Sequence, residues 1–130
     1  MNARTRILAT AAILLLTFTV EGRAAEVPYI SGGAGAESRQ ELLAQERDYN
    51  LKIVVADKSG DYLADVQVVI ESARKERVLE AAMEGPILLA KLRAGAYTIR
   101  ATSDGRTLTR TVTIAAQGLR QVDFRWEVIP

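Results

Sequence analysis

The sequence predicts an all-β protein, a seven-strand antiparallel β-sandwich with a short N-terminal helix. From Tyr49 onward, apolar and polar residues alternate with a period of two, as in strands buried on one face. Turn-forming residues recur about every ten positions, a spacing typical of sandwiches. The chain has 130 residues and no cysteine, so packing rather than disulfide bonds must stabilise its core.

Residues 1–24 have the organisation of a secretory signal peptide. A basic start precedes the uncharged run Ile7 to Val20, and small residues follow it up to Ala25. The uncharged run is 14 residues long, whereas a membrane span needs about 20. We therefore expect cleavage near Ala24, a mature chain in the periplasm or outside the cell, and no stable membrane insertion.

Residues 25–48 predict a glycine-rich lead-in and one short helix. Residues 25–36 contain Pro28 and a cluster of glycines, which favours a loop. Ser38 and Glu41 match a capping box, in which both side chains satisfy free amides at a helix start. We expect the helix to run from Ser38 to about Asp48 and to lie against the sandwich or cover an open sheet edge.

Residues 49–130 predict the β-sandwich domain. Within it, Asp104-Gly105 is a strong signal for a two-residue hairpin. Phe124 and Trp126 alternate with charged residues and are expected in the core. Tyr97 is expected to be a structural corner tyrosine whose hydroxyl bonds to the backbone. The strands are predicted at 49–55, 66–70, 78–83, 87–92, 97–102, 107–114 and 122–128.

Two stretches of the chain resemble carboxypeptidase regulatory-like domains. Val54 to Val68 has the strand, acidic-glycine turn and alternating valines of that family. Gly85 to Ile99 resembles a later family segment at Leu92, Gly95 and Tyr97, with Arg93 where the family usually has proline. The resemblance covers roughly residues 51–128. It implies a transthyretin-like or Ig-like seven-strand sandwich, typically a non-catalytic module, in a small secreted bacterial protein.

The composition excludes several classes of enzyme. Without His or Cys, the chain has no Ser-His-Asp triad, Cys-His pair or ordinary zinc site. One transthyretin-like branch hydrolyses 5-hydroxyisourate with histidines, so that activity does not carry over. Lys58 and Ser59 are adjacent, and neighbours on a strand point to opposite faces, which disfavours a Ser-Lys dyad. We expect a protein without enzymatic activity or cofactor.

Asp57, Asp61 and Asp65 form a candidate calcium site in the turn after the first predicted strand. Calcium prefers clustered oxygen ligands, and Gly60 permits a sharp bend. The bidentate glutamate that closes an EF-type loop is missing. The competing interpretation is a solvated turn in which aspartate bonds to nearby backbone groups.

Two other features have structural interpretations beside ligand-binding ones. The glycines from Gly32 to Gly35 precede a helix, where exposed amides attract phosphate, but the buried parallel strand of a nucleotide site is missing. This segment is therefore interpreted as a hinge or tether. The threonines from Thr107 to Thr113 could bind ice or glycans as a flat array, but high β-propensity on a solvent face explains them.

The predicted function is a non-catalytic binding or scaffold module that engages another envelope protein. The contact would use an uncovered edge strand or the glycine lead-in. With 17 basic and 16 acidic residues, the chain lacks the electrostatic footprint of a nucleic-acid binder. A glycan or small-molecule binding protein is the alternative if Trp126 faces outward. A carboxylate-based hydrolase is the other, and it needs two acids converging in a pocket.

Overall fold

The computed structural model describes residues 27–128, so the predicted signal peptide and its cleavage site lie outside the described residues. The described part is mainly β, with one α-helix, α1 (Ala36–Gln45), followed by a 3₁₀ turn (Glu46–Asp48). The strands are β1 (Tyr29–Gly32), β2 (Leu51–Asp57), β3 (Gln67–Ser72), β4 (Arg77–Ala82), β5 (Ile87–Ala90), β6 (Gly95–Ser103), β7 (Arg106–Ile114) and β8 (Arg120–Trp126).

The strands form two four-stranded sheets. Sheet I has the order β1-β5-β2-β8, and sheet II has the order β4-β3-β6-β7. All pairs are antiparallel except β2 with β8, which runs parallel from the pair Leu51/Arg120 to the pair Asp57/Trp126. The prediction of a purely antiparallel arrangement is therefore wrong at this pair, because the period of two carries no information about strand direction.

Each of the seven predicted strands is present, as β2 to β8, and β1 is an additional one. The prediction of a loop over residues 25–36 is wrong at Tyr29–Gly32, which pairs with β5 from Tyr29/Ala90 to Gly32/Ile87. The backbone of Gly32 is closely approached by another glycine, Gly85, so this part of the segment is packed rather than a free tether. A Cβ built on Gly85 would lie 2.4 Å from the carbonyl oxygen of Gly32.

The capping-box prediction is also wrong. The helix begins one turn earlier than expected, with Gly35 as its N-cap and no side-chain cap. Ser38 lies inside the first turn, and its Oγ accepts a hydrogen bond from the backbone N–H of Gly33 at 2.8 Å. The serine therefore stabilises the loop before the helix and does not accept a hydrogen bond from an amide of the helix. The end of the helical segment at Asp48 agrees with the prediction.

The two sheets share one hydrophobic core. Phe124 and Trp126 of β8 are 0% and 2% exposed, which confirms their predicted place in the interior. Their rings stack with centroids 6.2 Å apart. Residues from sheet I and from sheet II belong to this single cluster, among them Ile53, Leu88 and Phe124 on one side and Ile70, Ile99 and Ile114 on the other.

Helix α1 lies on the outer face of sheet I rather than over a sheet edge. Leu42 of the helix is buried against Ile87 and Leu89 of β5, with Val54 of β2 beside them. Alternate residues of β5 enter the main core, so this strand is buried on both faces. Burial on both faces explains why β5 is a continuous apolar run instead of an alternating one.

Candidate binding surface

The edge strands of the two sheets meet on one side of the molecule. Strand β7 is the outer strand of sheet II, and β8 is the outer strand of sheet I. The indole Nε1 of Trp126 donates a hydrogen bond to the carbonyl oxygen of Arg106 at 3.0 Å. In return, Nη1 of Arg106 donates to the carbonyl oxygen of Glu127 at 2.9 Å. These two bonds hold β7 against β8 at one end.

A groove of about 610 Å³ lies between these strands, and we call it the edge groove. Its lining consists of Lys58, Arg106, Leu108, Arg110, Asp123, Arg125, Trp126 and Glu127. Most of these side chains carry a charge, and Leu108 and Trp126 provide the apolar part. The groove is therefore suited to a ligand that combines charged and apolar groups.

Two arginines of β7 lie on the side of the strand that faces the core. Arg110 is directly opposite the buried Ile99 of β6, and its guanidinium carbon lies 5.5 Å from the centroid of the Phe124 ring. A cation over an aromatic face is an attractive arrangement. Arg106 is four residues before Arg110, so its side chain leaves the strand on the same side, and it donates the hydrogen bond to the carbonyl oxygen of Glu127. Inward-pointing charges on an edge strand oppose indiscriminate strand pairing.

The edge groove has an excess of positive charge. Four of its lining residues are cationic and two are acidic. Lys58 Nζ is paired with Glu127 at 2.7 Å, whereas among residues 27–128 no salt bridge involves Arg106, Arg110 or Arg125. Nε of Arg106 is buried and has no hydrogen-bond partner in the described part of the chain. The arginines thus retain capacity for an anionic group.

The outer edge of β7 carries backbone groups without a strand partner. All nine residues of β7 pair with β6, and no other described strand pairs with it. Ser103 and Arg106 flank the Asp104-Gly105 turn, whose residues have φ of 49° and 75°, as in a type I′ hairpin. In a hairpin of this type the two flanking residues, Ser103 and Arg106, form a hydrogen-bonded pair. From Arg106 onward, every second residue of β7 therefore bonds to β6, and the odd-numbered residues direct their N–H and C=O groups away from β6.

The threonines of β7 face solvent, as predicted, and they have partners on β6. Thr111 is opposite Thr98, and Thr107 is opposite Thr102. The hydroxyl oxygens of Thr102 and Thr107 lie 2.7 Å apart. Sequence reasoning treated the row as a single strand and missed this cross-strand pairing, which depends on the hairpin register.

A second, smaller groove of about 280 Å³ lies beside α1 on the outer face of sheet I. Leu43 and Tyr62 line it and are 57% and 58% exposed. The guanidinium carbon of Arg39 lies 5.9 Å from the Tyr62 ring centroid. Asp123 and Arg125 line both grooves, so the two surfaces adjoin along β8.

The acidic turn after β2 is organised by local hydrogen bonds. Oδ1 of Asp57 accepts bonds from the backbone N–H and the hydroxyl of Ser59, at 2.9 and 2.5 Å, and from the N–H of Asp61 at 3.1 Å. The Ser59 hydroxyl is the main cause that lowers the pKa of Asp57. Within residues 27–128 no group of three or more His, Cys, Asp or Glu side chains is placed to hold a metal ion, and the structure shows Asp57 bonded to Ser59 and Asp61 of its own turn.

Several predicted residues have structural roles. The hydroxyl of Tyr97 donates a hydrogen bond to the carbonyl oxygen of Arg93 at 2.8 Å, as expected of a corner tyrosine. Trp126 is buried, so it offers no outward aromatic platform for a sugar. The N–H of Gly33 is bonded to Ser38 and is occupied rather than free for a phosphate.

Sequence reasoning missed the edge groove, although one signal pointed to it. Arg110 stands at the same parity as Leu108 and Val112, so a cation interrupts the apolar face of a predicted strand. Such a position marks an edge strand. The partner across the groove, β8, follows only from the three-dimensional arrangement.

Comparison with protein-family models and with curated proteins finds no match for this chain. In the part that the structure describes, no helix combines the length and the apolar character needed to cross a bilayer. The function is therefore argued from the geometry of the two sheets.

Proposed function

We propose that this chain is a non-catalytic binding module of the periplasm or the extracellular space. It takes an extended segment of a partner protein as an additional strand along the outer edge of β7. The main support for this proposal is that β7, which is nine residues long, pairs with another strand on one side only among the described residues. Addition of a strand to an exposed edge is a common mode of peptide recognition, in which main-chain hydrogen bonds supply affinity.

A finer assignment of the fold belongs to the same proposal. Strands β2 to β8 correspond to the seven strands of a transthyretin-like or Ig-like sandwich of the carboxypeptidase regulatory-like type, and β1 is an addition. The core shared by the two sheets supports this assignment, as does the Tyr97 hydroxyl bond to Arg93. A sandwich leaves open sheet edges, which is where a module without catalytic residues can bind.

Strand β7 is better suited to this role than two other edges. Strand β1 has only four residues. Strand β4 is partly covered, because the N–H of Val27 bonds to the carbonyl oxygen of Val78 at 3.2 Å. The backbone groups of Thr107, Thr109, Thr111 and Thr113 point outward along β7. An added strand can therefore bond to several of them, and each bond contributes roughly 1 kcal/mol.

The location of the protein rests on residues 1–24. If they form a signal peptide, the exported chain begins at Ala25, directly after Ala24. N-terminal sequencing of the protein recovered from the periplasm or the culture medium tests this. An N-terminus at Met1 on protein retained in the cytoplasm would contradict it.

A proline at Thr109 tests the binding mode. Thr109→Pro removes one outward N–H at the centre of β7 and leaves the ladder to β6 intact, because proline is tolerated on the free side of an edge strand. Thr109→Val is the matched control, since valine keeps the N–H and the branched side chain. The probe is a panel of immobilised nine-residue peptides of alternating polar and apolar residues.

We expect the parent chain and Thr109→Val to bind the same subset of peptides and Thr109→Pro to lose about fivefold or more in affinity. Thermal unfolding of both variants checks that they are folded. Amide hydrogen exchange should slow at Thr107 and Thr111 when a peptide binds. Binding that persists unchanged in folded Thr109→Pro, or protection confined to β8, would contradict the proposal, as would the absence of binding across the panel.

A further inference from the structure

We infer that the segment bound along β7 carries acidic residues on both sides of an apolar residue, at alternate positions. This inference rests on the proposed function and adds the chemistry of the partner. Its basis is the inward-facing series Arg106, Leu108 and Arg110 of β7, which has a cation at each end and an apolar residue between them. The edge groove in which these side chains lie has two more cations than carboxylates.

Strand geometry turns this series into a pattern for the partner. In an added strand, every second side chain lies on the same side of the sheet, about 6.8 Å apart at 3.4 Å per residue. Side chains directly opposite Arg106, Leu108 and Arg110 would thus be acidic, apolar and acidic. The pattern reads the same in either direction, so it does not depend on whether the segment runs parallel or antiparallel to β7. The intervening residues would lie beside the threonines on the solvent face.

The hydrogen-bond state of the arginines supports an acidic partner. Nη1 of Arg106 bonds to the carbonyl oxygen of Glu127, an uncharged acceptor, and among the described residues no carboxylate forms a salt bridge with Arg106. Arg110 contacts the Phe124 ring and donates from Nη1 to the carbonyl oxygen of Thr109 at 3.3 Å, and it has no carboxylate within salt-bridge distance in the described part of the chain. A carboxylate at each arginine would form a charge-assisted hydrogen bond.

The same charges disfavour a second copy of this chain as the occupant. If two β7 strands paired antiparallel around Leu108, Arg106 of each copy would lie opposite Arg110 of the other. Like charges directly opposite each other destabilise a strand pair. In the register centred on Leu108 the charges therefore oppose pairing of two copies and favour a segment of opposite charge.

Two synthetic peptides serve as probes of this inference. In the acidic peptide, glutamate, leucine and glutamate occupy alternate positions with threonine between and around them; in the basic peptide, lysine replaces glutamate. Each is labelled and titrated with the full exported chain by fluorescence anisotropy. An exposed or partly exposed ion pair is worth about 0.2–1 kcal/mol, up to about fivefold in affinity. We therefore expect the acidic peptide to bind at least about tenfold more tightly than the basic one.

The double variant Arg106→Gln/Arg110→Gln should lower affinity for the acidic peptide about tenfold and remove most of its salt dependence. The control Arg74→Gln/Lys75→Gln removes the same charge from the exposed β3–β4 turn and should leave affinity unchanged. If the arginine variant does not fold, the comparison of the two peptides on the parent chain still decides the question.

The outcomes separate this inference from the proposed function. Equal binding of both peptides, abolished by Thr109→Pro, would overturn the acidic preference and leave strand addition intact. Binding of the acidic peptide that is insensitive to Thr109→Pro would overturn both, because the contact would then not use the edge of β7. Failure of the acidic peptide to bind, while other peptides of the panel bind along β7, would overturn the acidic preference alone.

Discussion

Replacing Gly85 by alanine tests how β1 is held in sheet I. A Cβ at this position would lie 2.4 Å from the carbonyl oxygen of Gly32 and 2.6 Å from its carbonyl carbon. Both are backbone atoms, so no side chain can move aside, and β1 must shift away from its position beside β5. The nearby bond from the Glu84 N–H to Ser31 Oγ, at 3.1 Å, would be disturbed as well.

Overpacking of this kind destabilises proteins by about 1–3 kcal/mol. We expect Gly85→Ala to lower the free energy of unfolding by about 2 kcal/mol, which corresponds to a fall of roughly 8–16 °C in melting temperature for a domain of this size. Gly35→Ala is the matched control, because no atom lies within 4 Å of its Cβ position. Alanine is a poorer N-cap than glycine, so the control should lose less than about 1 kcal/mol.

The assay is thermal and urea unfolding followed by circular dichroism, with amide exchange measured at Ile30, whose position in the β1–β5 register directs its N–H toward β5, and at Glu84. Gly85→Ala should unfold at the lower temperature and exchange faster at both amides. If Gly85→Ala and Gly35→Ala unfold at the same temperature, the close approach of Gly85 to β1 does not contribute to stability.

Two further substitutions test the roles assigned to single side chains. Tyr97→Phe removes the bond to the Arg93 carbonyl and should lower stability by about 1 kcal/mol, or roughly 4–8 °C in melting temperature; an unchanged melting temperature would exclude a structural role for the hydroxyl. Ser59→Ala removes the largest cause of the lowered pKa of Asp57, so an NMR titration should show that pKa rising toward its usual value. Because the pKa is lowered in the folded state, the stabilising contribution is present at neutral pH and is lost as the pH falls through the folded-state pKa. A titration curve identical in the parent chain and Ser59→Ala would contradict this assignment.

The parts of the fold that follow from local pattern were predictable. The alternation around Phe124 and Trp126 is a short-range signal, and both side chains are buried as it implies. The Asp104-Gly105 hairpin is equally local, since both residues adopt positive φ. Strand β1 could not be predicted in this way. Its residues pair with β5 far along the chain, and Gly85, which allows the close approach to Gly32, resembles a loop glycine in the sequence.

The candidate site was predictable only in part. An uncovered edge strand follows from any open sandwich, but its identity as β7 depends on the order of strands in sheet II. Arg106 and Arg110 become a site only because β8 lies across the groove from them. The Ser38 capping box shows the opposite case: the local motif is present in the sequence, but Ser38 binds the Gly33 amide and Gly35 is the N-cap of the helix.

The parallel pairing of β2 with β8 has a consequence for how the chain reaches its folded state. Leu51 pairs with Arg120 in this ladder. One hydrogen-bonding edge of β2 therefore stays unpaired until most of the domain has been synthesised. Contacts between such distant segments slow folding. During that time the segment Leu51–Asp57, which is rich in β-branched residues, has an unpaired strand edge that other nascent chains can pair with. A truncated product that ends before β8 would therefore be prone to aggregate even though most of its strands are complete.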